Sequence, residues 1–276
     1  MLQFHINTEK CTRCGLCIDD CPASIIEFND DNLPTITVKK QDSCYKCQHC
    51  LAICPTAALS ILGHDPLQSR SLIDALPDPD RLETLIRGRR SVRRYRDENL
   101  DPALIRRLLD TAWQSPTGVN DRRVRFSLID RREELDIFRK ETYEALGRLA
   151  TADKLPEERK FFAGIVNRWQ EQGIDIIFRG APHLLVASAP RDAATPLPDC
   201  LISLAYFELF AQSLGVGTVW NGLFKWTIDE LVPQLRQRLN IPDQHLIGYA
   251  MAFGKPAIQY ERTIDHGPAE IVRFKG

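Results

Sequence analysis

Eight of the nine cysteines lie before residue 55 and fall in two copies of one pattern: Cys11, Cys14, Cys17, Cys21 and Pro22, then Cys44, Cys47, Cys50, Cys54 and Pro55. Disulfides would explain such density in a secreted chain. The N-terminus, MLQFHINTEKCTRC, has no basic region followed by an apolar stretch, so no export signal is read and the default compartment is the cytoplasm, where thiols stay reduced. Metal is therefore the better reading of the cysteines.

A spacing of three lets thiolates on one curled loop surround a cube of iron and sulfide, while the fourth, carried past the loop, reaches the other cluster. Structural zinc normally uses two C-x2-C pairs separated by a longer loop. Residues 1–62 resemble a two-cluster bacterial ferredoxin. The resemblance implies that Cys11, Cys14, Cys17 and Cys54 hold one [4Fe-4S] cluster, and Cys44, Cys47, Cys50 and Cys21 the other. Short strands are read at 25–28 and 35–38, with a turn between them. Five Lys or Arg against seven Asp or Glu make this stretch mildly acidic, which would steer a redox partner protein such as ferredoxin. His49, between two ligands, is read as a bystander.

The whole chain has 276 residues, 43% hydrophobic and 26% charged, enough for one large or two small domains. Its 36 Lys and Arg against 37 Asp and Glu leave no basic field for nucleic acid or anionic lipid. The most apolar stretch, 200–220, carries Glu208 and Gln212 and is not read as a membrane span. Residues 63–82, with Pro66, Pro77 and Pro79, read as a linker. A second domain follows at 83–276, opening with a helix at 81–88.

That helix leads into Arg87-Gly88-Arg89-Arg90-Ser91-Val92-Arg93-Arg94-Tyr95-Arg96, six arginines in ten positions. Taken alone, the run is equally a solvated face or an anion site. Three further blocks follow in order: Ser115-Pro116-Thr117-Gly118-Val119-Asn120, Gly215-Val216-Gly217-Thr218-Val219-Trp220-Asn221-Gly222, and Gly254-Lys255-Pro256 with Arg262 beyond. Together they resemble the FMN-dependent nitroreductase family. The resemblance implies that Arg89, Arg90, Ser91 and Arg93 hold the phosphate and pyrimidine side of FMN, with Arg262 closing on the phosphate. It also implies a homodimer in which Pro116, Thr117, Gly118 and Asn120 complete the partner's site. Backbone N–H groups near Asn221 and Gly222 would face flavin N5 and O4, so no side chain need act as general acid.

The chain departs from that pattern where Arg122-Arg123-Val124 replaces Gln-Pro-Trp, where Lys255 replaces Tyr, and in an unmatched stretch at 152–180. Arg122 and Arg123 are either solvated or partner contacts, or a handle for an anionic substrate. Gly215-x-Gly217 fails as a dinucleotide fingerprint, because position 220 is Trp and the preceding segment is helical. Cys200 and His183 read as buried structural residues, Phe207, Phe210 and Leu214 as core. His64, His245 and His266 receive no role.

The fold expected is α+β: a small two-cluster ferredoxin domain followed by a nitroreductase-like domain, with helices covering a mostly antiparallel sheet. Helices are expected at 102–114, 132–149, 155–173, 198–214 and 227–239, strands at 124–129, 183–189, 216–220 and 246–253. The function this implies is an oxidoreductase passing electrons between the clusters and FMN and reducing a small organic substrate, nitroaromatic, quinone-like or anionic. Two alternatives stay open: an electron-transfer or redox-sensing module without its own substrate, and a ferredoxin-linked dehydrogenase running in reverse.

Overall fold

The same backbone turn is made twice in the cysteine-rich part of the chain. Arg13 (φ 57°) and Gly15 (φ 78°) follow Cys11, and Lys46 (φ 54°) and Gln48 (φ 62°) follow Cys44 at the same offsets. Left-handed residues at alternate positions reverse the chain repeatedly and curl each loop around its thiols. Each loop ends in one short helix, α1 (Leu16–Asp19) or α2 (His49–Ala52).

The computed structural model describes residues 2–274 and 276. Contacts divide it into two units, one running to Pro77 and including Val119–Asp121, the other comprising Asp78–Gly118 and Arg122–Gly276. In the first unit, β1 (His5–Ile6) pairs antiparallel with β4 (Leu59–Ser60), and β2 (Glu27–Phe28) with β3 (Pro34–Thr35). These ladders are shorter than the strands expected from sequence. Its core is small, made of residues such as Leu2, Ile25, Ile26, Ile36, Leu59 and Ile61, and two of the thiols, Cys17 and Cys50, belong to it.

In the second unit, α3 (Pro79–Gly88) begins two residues ahead of the helix expected at 81. Asp78 caps it by accepting from Arg81 N at 2.9 Å, and Pro79 at the first helical position gives up no bond. There follow α4 (Pro102–Ala112), β5 (Arg125–Ile129), α5 (Arg132–Thr151), α6 (Phe161–Gln172), β6 (His183–Pro190), α7 (Pro196–Ser213), β7 (Gly217–Trp220), α8 (Gly222–Trp226), α9 (Leu235–Arg238) and β8 (His245–Gly254). The strands form one antiparallel sheet in the order β5-β6-β8-β7. Central β6 is buried from His183 to Ala189. Its Leu184 and Val186 pack with α5 and α6, while Leu185, Ala187 and Ala189 pack with α4 and α7. A sheet covered by helices on both faces is the α+β arrangement expected, and it explains why β6 reads as an unbroken apolar run.

The helix expected at 227–239 is instead two pieces, a π-type turn at Thr227–Leu231 that continues from α8, and α9. Pro233 has no N–H to donate and interrupts the ladder, while Asn221 starts α8 early by accepting from Phe224 N at 3.0 Å. The helix expected at 155–173 likewise splits into a turn at Glu157–Arg159 and α6. The register of β6 on β8 shifts at Ala187/Ser188, leaving Gly248 unpaired. A Cβ there would fall 2.1 Å from the Cys200 Cβ, so the bulge lets α7 lie directly on the sheet. Cys200 is accordingly fully buried, as expected for a core thiol.

Candidate functional site

The first unit contains two cavities bounded by four cysteines each. Cys11, Cys14, Cys17 and Cys54 line one, and Cys21, Cys44, Cys47 and Cys50 line the other. These are the two crossed sets that the ferredoxin resemblance implied, with the fourth cysteine of each motif in the cavity of the other. Burial pushes the Cys17 thiol up to about 11, and Cys54, Cys11 and Cys14 add to the shift. Burial pushes Cys50 up to about 12, with Cys47, Cys21 and Cys44 adding. Exposed Cys14 moves the other way, its thiolate favoured by hydrogen bonds from the Leu16 backbone and the Thr12 side chain. Backbone N–H groups reach two sulfurs, Lys46 N to Cys44 Sγ at 3.3 Å and Ala58 N to Cys54 Sγ at 3.2 Å.

Among the described residues no group of three or more His, Cys, Asp or Glu could hold a single metal ion. The donor set and its spacing around a cavity fit a polynuclear iron–sulfur cluster.

In the second unit the arginine run continues the sheet past its edge. Ser91 bridges Thr218 of β7 in parallel, and Val92 N donates to Thr218 O at 2.8 Å. Further along, Arg96 N donates to Lys255 O at 2.8 Å and Ala257 N to Arg94 O at 2.9 Å. The Tyr260 hydroxyl donates to Ser91 O at 3.3 Å, drawing the segment that carries Arg262 toward the same loop. Arg262 itself is exposed and lines an open groove with Arg81, Arg96 and Lys255. Arg93 is exposed and reaches Ser91 O at 3.4 Å, while Arg90 is half-buried. Arg89 differs from the others, because its Nη1 lies 3.2 Å from Oε1 of buried Glu208.

Strand β7 then delivers Asn221 and Gly222. Asn221 is 4% exposed, and its N–H donates to Ala250 O at 2.8 Å. Because Oδ1 caps Phe224, the orientation of the amide is settled, and Nδ2 is left buried without a partner among the described residues. A buried donor left unpaired costs about 1–3 kcal/mol, so the position calls for an acceptor. At Gly222 a Cβ would fall 2.9 Å from the Tyr249 hydroxyl, so a side chain there would have to displace the Tyr249 ring. The orphan amide and the bare glycine fit a flat acceptor-bearing ring.

The remaining block lies elsewhere. Gly118 N donates to Thr195 Oγ1 at 3.1 Å and to Asp199 Oδ1 at 3.0 Å at the start of α7. Pro116 is exposed and the Thr117 hydroxyl accepts from Arg122 N at 3.1 Å. Asp199 and Glu208 are nine residues apart on α7, about 13 Å along its axis, so Gly118 and Arg89 are not brought together in one chain. Asn120 belongs to the first unit, where its Nδ2 donates to Tyr45 O at 2.8 Å. Val119, Asn120 and Arg122 all have positive φ, an uncommon backbone for residues other than glycine.

Arg122 and Arg123 turn out to be engaged by the protein. Arg122 donates to Trp113 O at 2.7 Å and Ser115 O at 2.9 Å and stacks over the Trp113 ring, and Arg123 pairs with Asp192 at 3.2 Å. The unmatched 152–180 stretch is packing: Trp169 stacks on Tyr143 at 4.5 Å, and Arg159 lies over Trp226 while pairing with Glu230 at 2.8 Å. Sequence reasoning missed Glu208 and Asp199 as organising residues. The available signal was an acid within an apolar helix, which needs a partner if buried.

The nitroreductase family model matches residues 86–255, and a 4Fe-4S dicluster domain model matches residues 10–58. A putative NADH dehydrogenase/NAD(P)H nitroreductase of Methanothermobacter thermautotrophicus is 27% identical over 177 residues, 62% of this chain and 75% of that protein. A probable ferredoxin of Methanosarcina thermophila is 48% identical over 31 residues, 11% of this chain and 53% of that protein. Among solved structures, a nitroreductase with bound FMN from Bacteroides fragilis superimposes with a TM-score of 0.55 at 20% identity, covering 70% of this chain and 98% of that one. Another with bound FMN, from Desulfitobacterium hafniense, gives 0.54 at 22% identity over the same shares. At these identities the superpositions speak for the fold.

Proposed function

Because the chain belongs to the nitroreductase family, we propose that it is an FMN-dependent iron–sulfur oxidoreductase, passing electrons between two [4Fe-4S] clusters and FMN and reducing a small organic substrate. The observation that carries this reading is the presence, in one chain, of two four-cysteine cavities and a buried unspent amide at Asn221. When bound, the clusters supply one-electron transfer and FMN the exchange between single electrons and pairs.

The protein's own groups divide the work. Cys11, Cys14, Cys17 and Cys54 would hold one cluster, and Cys21, Cys44, Cys47 and Cys50 the other. The N–H bonds on Cys44 and Cys54 would draw charge from those thiolates and favour the more reduced state of a cluster held there. Asn221 Nδ2 and the N–H groups at the start of α8 would donate where negative charge gathers on the flavin, with no side-chain acid required. Arg90, Ser91, Arg93 and Arg262 would meet its phosphate. Pro116, Thr117, Gly118 and Asn120 would complete the site of a second copy, in a cytoplasmic homodimer whose electrons come from reduced ferredoxin or a similar protein.

Anaerobically purified protein is expected to contain eight irons, eight labile sulfides and one FMN per chain, from two four-cysteine sets and one flavin site. Zinc in place of iron, or FAD in place of FMN, overturns the reading. Stopped-flow flavin reduction then tests the entry route. Reduced ferredoxin should outrun NADPH in the wild type, and a Cys14→Ser, Cys47→Ser variant that keeps FMN should lose that advantage.

A further inference from the structure

The apolar helix α7 carries two acids hidden from solvent, Asp199 at 3% exposure and Glu208 at 6%. Taking a carboxylate out of water costs several kcal/mol unless donors replace the lost solvent. The donors each has recruited therefore reveal its task. Glu208 accepts from Arg89 Nη1 at 3.2 Å, Thr218 Oγ1 at 3.0 Å and Trp220 Nε1 at 2.9 Å. Asp199 accepts from Gly118 N at 3.0 Å and Thr195 Oγ1 at 2.8 Å. Between the two, Leu204 and Phe207 are fully buried in the core, so the helix's own packing calls for no acid.

Apart from Thr195, which belongs to the start of α7 itself, the partners come from three segments outside the helix: the arginine loop, strand β7 just before Asn221, and the turn at 116–118. These are the segments that the proposed function assigns to the flavin. We propose that Glu208 is a positioning residue for the flavin site, holding the arginine loop against β7 through Arg89 and fixing Trp220 beside Asn221, and that Asp199 does the same for the 116–118 turn. The proposal rests on the flavin reading and moves Arg89 off the phosphate, where the family resemblance had put it. Arg89 is the loop's anchor, its charge met by Glu208, and the phosphate is left to Arg90, Arg93, Arg262 and the Ser91 hydroxyl.

An anchor and a phosphate ligand respond oppositely to a paired substitution. Full-length protein freed of flavin is titrated with FMN by fluorescence quenching, with iron content as the control for the first unit. Glu208→Gln and Arg89→Gln should each weaken FMN about tenfold, because each leaves the other charge without its partner. The double variant, in which two amides face each other, should return to within about threefold of wild type. A double variant as weak as Arg89→Gln alone would make Arg89 a direct flavin contact and overturn the proposal. So would single variants that bind like wild type. If Glu208→Gln does not fold, Thr218→Val removes one donor while keeping the charge. It should weaken FMN about threefold, and unchanged affinity overturns the proposal. Wild type that takes up no FMN would defeat the flavin reading itself, an outcome separate from all of these.

Discussion

The two units build their sites in opposite ways. In the first, every proposed cluster ligand lies within one of two short motifs, and two of them, Cys17 and Cys50, are also core residues. The proposed clusters would then tie stability to occupancy, because buried thiolates without metal are costly. In the second, the core clusters on the two faces of the sheet contain none of the candidate flavin residues. Those residues hang on the sheet's edge and on the ends of helices. A unit of the first kind is expected to fail as a whole when its cofactor is lost, and a unit of the second kind to keep its fold.

The most severe way to break this contrast is to remove iron. Chelation under anaerobic conditions is expected to unfold the first unit completely and leave the second unit's melting transition in place. Persistent amide-exchange protection in β1 to β4 after iron loss would contradict it. Next in size is Phe207→Ala, which empties a fully buried position between α7 and the sheet. It should cost the second unit about 3–5 kcal/mol in denaturant titration without changing the iron content.

A third test uses pH. His183 is buried with its Nε2 accepting from Leu100 N at 3.0 Å, and burial pulls its pKa down to about 4. The folded pKa lies below the unfolded value of about 6.5, so the unfolded chain binds the proton more readily between the two. The stability contributed by the neutral ring is full above that window and declines as pH falls through it, by up to about 3 kcal/mol. His183→Gln should flatten the acid limb of the second unit's stability profile. The smallest effect belongs to Arg123→Ala. Its ion pair with largely exposed Asp192 is worth less than about 1 kcal/mol, and the ratio of turnover between carboxylated and neutral substrates should not change.

The contrast also explains what the sequence could reveal. Cysteine spacing is local, so the two motifs were legible before any tertiary contact was known, and the ferredoxin resemblance implied that their fourth cysteines cross. Strand β6 was legible because burial on both faces leaves a continuous apolar run from Leu184 to Ala187. The break of the 227–239 helix was missed although Pro233 stood in it, because the apolar spacing ran past the proline. Arg122 read as a solvated residue, a partner contact or a substrate handle, and only the folded loop brings it to the carbonyls of Trp113 and Ser115. Glu208 read only as an interruption of an apolar stretch, since its partners Arg89, Thr218 and Trp220 are assembled by the sheet.

The bridge between Ser91 and Thr218 has a consequence beyond ligand binding. Strand β7 is only Gly217–Trp220 and lies at the edge of its sheet, where bare backbone groups would invite another chain to add a strand. The arginine loop occupies that edge, and its like charges repel a second copy approaching along it. Preparations in which the loop has loosened should therefore precipitate at high concentration before any helix melts, so solubility becomes an early reporter of damage at this end of the protein.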